Sequence, residues 1–82
     1  MGLPVVVEKE TDTAAHCVYA VGSPADTVGR LQLRKGTGDV AVLDFDEPDD
    51  GPSRAFYLAH VVPRLQAYHD AGTYPDREQW TV

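Results

Sequence analysis

The three histidines and the single cysteine are the residues of this 82-residue chain best suited to nucleophilic or metal chemistry. His16 and Cys17 are adjacent, so on a strand they point to opposite faces and cannot readily share one metal ion. His60 and His69 are spaced so that a helix sets them on roughly opposite sides. Neither C-x-x-C nor H-x3-H spacing occurs, whereas a zinc site needs several ligands converging on one point. No metal and no cofactor is expected. A Cys–His nucleophile pair forms only if the fold carries Cys17 to His69, on the core side of a helix. Nothing in the sequence supplies that pair with an orienting third group or an oxyanion hole. A small-molecule site or minor enzyme near Cys17, Tyr68 and His69 is therefore the second function class, behind a non-catalytic one.

Other motifs have simpler structural readings. Lys35-Gly36-Thr37-Gly38 shares glycines with phosphate loops, but a Walker loop is longer and ends in Gly-Lys-Ser/Thr before a helix. Here the glycines lie between two strand-like runs and read as a hairpin turn. Asp44 and Asp46 share a strand face and are expected to be solvated, with Arg30 opposite one of them. The acidic run Asp46–Asp50 lacks the pattern of an EF-hand loop. Arg30, Arg34 and Lys35 form a short basic stripe without aromatics interleaved in the same strands, unlike a sheet that binds RNA.

The element that positions most of these residues is a helix expected over Pro52–Gly72. Leu58, Val61, Val62, Leu65 and Tyr68 fall on one stripe at about 100° per residue, with Ala55 at its edge. Gly51 as N-cap and Pro52 at the first helical position suit its start, near the acids Asp49 and Asp50. Gly72 followed by Pro75 suits its end. Pro63 removes a backbone donor in the middle, and a kink or break is expected near Val62. An ideal helix turns Phe56 away from the core stripe, one turn before His60. Either Phe56 marks a second buried surface, or the bend at Pro63 swings it inward.

Everything before the helix reads as strand. Leu3–Lys9 and Ala15–Val21 are rich in valine, and the second is apolar on both faces, as a central strand is. Glu10–Ala14 and Gly22–Asp26 read as turn and loop. In Val28–Lys35, Leu31 and Leu33 alternate with Arg30, Gln32 and Arg34. In Asp39–Glu47, Ala41, Leu43 and Phe45 alternate with Val40, Val42, Asp44 and Asp46. A turn centred on Thr37 pairs Leu33 with Ala41, Leu31 with Leu43, Gly29 with Phe45 and Arg30 with Asp44. The expected fold is α+β: a four-stranded antiparallel meander (ββββα) with one long, Pro-kinked helix on one face. Residues 1–82 form a single domain, and Tyr74 and Trp80 pin 73–82 to it as a C-terminal tail.

Composition narrows the function classes. The net charge is −6, from 13 acidic and 7 basic residues, which argues against a nucleic-acid partner held by phosphate attraction. One cysteine permits no intramolecular disulfide. No run has the length of a membrane span, and the N-terminus lacks the basic and apolar regions of a signal peptide. A cytoplasmic location is expected. The reading reached is a small acidic protein-interaction domain: an accessory protein, an inhibitor, or a self-associating homodimer. Its candidate contacts are Phe56 and His60 on the helix, with Val40, Val42, Arg30 and Arg34 on the sheet face left uncovered.

Overall fold

The computed structural model describes residues 2–46 and 53–82. Five strands, β1 (Pro4–Asp12), β2 (His16–Gly22), β3 (Thr27–Arg34), β4 (Val40–Phe45) and β5 (Arg77–Thr81), form one sheet in the order β4-β3-β2-β1-β5. Every neighbouring pair is antiparallel. The helix α1 (Arg54–Ala71) lies between β4 and β5 in the chain. It carries the chain across the sheet from one edge strand to the other. The class is the expected α+β, and the apolar β2 is the central strand. The strand count is corrected from four to five, because 77–81 is a ladder strand rather than a packed tail. Its pairs run from Pro4↔Thr81 to Glu8↔Arg77. Trp80 sits opposite Val5 and packs on the core, as does Tyr74.

β1 is also longer than expected. It continues through the polar residues to Asp12, with a bulge between Lys9 and Thr11. Lys9, in phase with the fully buried Val5 and Val7, opposes Tyr19.

The β3–β4 hairpin shows how one turn residue decides which side chains are buried. Gly38 has φ +79°. Arg34 N–H donates to the Asp39 carbonyl and Gly38 N–H to that of Arg34, both at 2.8 Å. The loop therefore closes one residue earlier than a turn centred on Thr37. Leu33 pairs with Val40 and Leu31 with Val42, rather than with Ala41 and Leu43. A bulge then restores the expected pairs Arg30↔Asp44 and Gly29↔Phe45, with Leu43 as the extra residue. Directly opposed residues share a face, so Val40 and Val42 stand on the helix side with Leu33 and Leu31. Their expected place on the outer face is corrected.

The helix begins two residues later than the glycine–proline pair implied. Ser53 is the N-cap, and its Oγ accepts the Phe56 N–H at 3.2 Å. Gly51, Pro52, Asp49 and Asp50 lie outside the described residues. Gly72 ends the helix at φ 70°, with its N–H donating to the His69 carbonyl. Between these caps the helix runs through Pro63 without a break. Pro63 and Ala59, whose carbonyl loses its donor, are both exposed, so water can solvate the orphaned carbonyl. The buried helix residues are Tyr57, Val61, Leu65 and Tyr68. Leu58 and Val62 lie at the flank, half-buried. Tyr57 therefore takes the core place assigned to Leu58. Its ring meets Phe45 at 5.9 Å between centroids.

Candidate functional site

The chemistry-bearing side chains gather where β1, β2, the β3–β4 hairpin and the chain after the helix meet. Asp12 is the centre. Its carboxylate accepts Lys35 Nζ at 2.6 Å and Lys9 Nζ at 3.0 Å, and the Cys17 thiol at 3.5 Å. Lys9 also reaches Asp76 at 3.1 Å and donates to the Tyr74 carbonyl at 3.1 Å. Lys35 sits over the Tyr74 ring, 4.8 Å from its centroid, a cation–π contact. Beneath this lid Tyr19 donates its O–H to the Pro75 carbonyl at 2.8 Å. Tyr68 donates to Glu78 at 2.5 Å, and Arg64 holds the same carboxylate at 3.2 Å.

The electrostatics follow from the contacts. Lys35 and Lys9 hold the Asp12 carboxyl well below the usual carboxylate range, and Asp12 in turn pushes both ammonium groups up. Burial pushes the Cys17 thiol up, and the neighbouring Asp12 carboxylate adds to the shift. A thiol with a raised pKa and no exposed surface is a poor nucleophile. The cluster closes one end of the core and holds its members in fixed partnerships. Cys17 is bonded to Asp12, whereas the His69 ring bonds the Lys35 carbonyl at 3.0 Å and packs against Gly38. The Cys–His pair weighed from the sequence is not assembled.

Two predictions arise here. Cys17 in the folded protein should react with a thiol reagent only at the rate of global unfolding, and at full speed in denaturant; fast native labelling would contradict its burial. Asp12 carries a depressed folded pKa, so its contribution to stability is complete above the unfolded carboxylate range. It is lost as pH falls from about 5 toward the folded value. Asp12→Asn should therefore flatten the acid limb of a stability-versus-pH curve measured by urea unfolding. An unchanged acid limb would show that the cluster contributes nothing.

The outer sheet face is the second region. Arg30 lies there between Glu10 at 2.6 Å and Asp44 at 3.4 Å. It reaches Glu10 across β2 because its direct neighbour on that strand is the small Ala20. Glu10 foremost, then Asp44, push the Arg30 guanidinium up. Arg30 is thus matched by two carboxylates rather than left free for a partner. The loop Ser23–Asp26 joins Val6, Ala20, Glu8 and Arg77 around a groove of about 180 Å³ on this face. Val6 and Ala20 are 8% and 9% exposed.

The third region is the β4 edge. Val42 is 37% and Leu43 50% exposed. Phe56, by contrast, is half-buried against the core, edge-on to Tyr57 and 4.7 Å from the His60 ring. At 100° per residue Phe56 and His60 fall on the Arg64 flank of the helix. Arg64 covers Trp80 of β5 at 4.2 Å, so this flank faces away from β4. The sequence-derived contact residues therefore occupy separate places. Phe56 and His60 lie on one helix flank, Val40 and Val42 in β4 on the helix side, and Arg30 and Arg34 on the outer face.

Sequence reasoning missed the Lys9–Asp12–Lys35 cluster and the exposure of Leu43. A signal for the first was present: Lys9 continues the two-residue alternation of Val5 and Val7. Leu43 depends on a bulge that alternation alone cannot locate.

The class defined by these elements is an α+β domain with one helix crossing a five-stranded antiparallel sheet. No protein-family profile, curated protein or solved structure matches the chain. Among the described residues no helix is long and apolar enough to cross a membrane, and no group of three or more His, Cys, Asp or Glu is placed to hold a metal ion.

Proposed function

We propose that the protein is a small acidic, non-catalytic protein-interaction domain, and that it works through its β4 edge. One observation carries this reading: Val42 and Leu43 are adjacent, exposed and apolar on an edge strand that contains no Lys, Arg or Pro. Edge strands commonly carry Lys or Pro to block pairing with other chains; β4 has only the bulge at Leu43 and one charge, Asp44, which Arg30 of β3 holds at 3.4 Å. The opposite edge, β5 (REQWT), carries Arg77 and Glu78 in its first two positions. A cytoplasmic location belongs to the same reading.

The alternative, a ligand site near Cys17, Tyr68 and His69, draws no support from the packing there. Each of those polar groups is already bonded within the chain.

Leu43→Lys tests the proposal. Leu43 is exposed, so the substitution should change stability by no more than about 0.5 kcal/mol. Native mass spectrometry of the gently purified wild type should show a complex, and the variant should appear without the partner. A variant that retains the same complex would refute the β4 reading.

A further inference from the structure

We infer that the β4 edge takes up an extended basic segment of a partner protein as a sixth strand. This rests on the interaction reading above and names the occupant. Among the described residues β4 pairs with β3 on one side only, which leaves a row of backbone donors and acceptors on the other. Such an edge binds an extended segment through its main chain, with side-chain contacts selecting the sequence. Val42 and Leu43 supply an apolar contact at the middle of the strand.

Charge decides between the two candidate occupants, a second copy and a foreign segment. Asp39, Asp44 and Asp46 lie along β4 and its ends. The described ion pairs give only Asp44 a basic partner, and Arg30 holds it at 3.4 Å while bonding Glu10 at 2.6 Å. In the antiparallel register that overlaps the whole strand with a copy of itself, Asp39 of each chain opposes Asp46 of the other. Like charges directly opposite destabilise a strand pair. Each copy also brings a net charge of −6. A segment with Lys or Arg flanking one or two apolar residues meets the same edge with attraction at both ends and an apolar contact between them.

The test uses the full chain with two synthetic peptides: one alternates Val and Thr with regularly placed Lys, and the other has Glu in place of Lys. Binding is followed by backbone amide NMR shifts at low and high salt. The expected result is that the Lys peptide binds, shifts β4 amides first, and weakens as salt rises. The Glu peptide should not bind, and Leu43→Lys should weaken the Lys peptide about tenfold or more. Equal binding of both peptides, no binding of the Lys peptide, or shifts centred elsewhere would overturn the inference. A β4-dependent complex that proves to be a homodimer would overturn the basic-segment inference and leave the interaction reading standing. A complex unaffected by Leu43→Lys would overturn both.

Discussion

Tyr57→Ala should lower the unfolding free energy by about 3–5 kcal/mol, the range for deleting a buried aromatic, while Leu58→Ala should cost only about 1 kcal/mol. The two positions are adjacent, and simple counting of the apolar stripe assigns the core place to Leu58. The structure reverses this. Tyr57 is 3% exposed, and its ring contacts Phe45 and Phe56. Leu58 lies at the flank. A domain of this size has a total stability of about 5–10 kcal/mol, so Tyr57→Ala should be close to unfolding. Urea unfolding of both variants decides the matter. Equal losses, or a larger loss at Leu58, would show that the helix is rotated from the phase described.

Removing residues 77–82 should abolish cooperative folding. As a tail this segment would contribute only its side-chain contacts. As β5 it supplies five ladder partners for β1, the Glu78 acceptor for Tyr68 and Arg64, and Trp80 beneath Arg64. Its loss would open the β1 edge beside Val5 and Val7, both fully buried. Trp80→Ala is a milder form of the same test and should cost about 2 kcal/mol, less than a fully buried aromatic because Trp80 is half-exposed. A truncated chain with a sharp urea transition would contradict the five-stranded account.

Strong local patterns carried much of this fold. The valine-rich β1 and β2, the alternation of β3 and the helix stop at Gly72 follow from periodicity and turn chemistry, whereas the pairs Gly29↔Phe45 and Arg30↔Asp44 return to the expected register only through the bulge at Leu43. The failures have a common physical origin. β5 is a short strand whose apolar content is a single Trp, and its pairing partner β1 lies at the other end of the chain. Local propensity is weak there, and the long-range ladder decides. The bulges in β1 and β4 each insert one residue, which reverses the facing of everything on one side. That reversal carried Val40 and Val42 to the helix side. The Lys9–Asp12–Lys35 cluster joins residues from two distant stretches, so the alternation that sets Lys9 in phase with Val5 and Val7 could not show that Lys35 meets it at Asp12. Pro63 signalled a kink or a break; the helix does not break there, because its position on the solvent side lets water satisfy the freed carbonyl.

The central claim is that this domain meets its partner at β4, and hydrogen exchange tests it most directly. Amide exchange would be compared between the isolated protein and the gently purified complex, peptide by peptide. The account predicts that protection rises in the segment containing Val40–Phe45, with little change in the helix start around Phe56 and His60 or in the β3 segment around Arg30 and Arg34. Unchanged β4 exchange, with new protection at the helix start or on β3, would contradict it and move the interface to one of those surfaces.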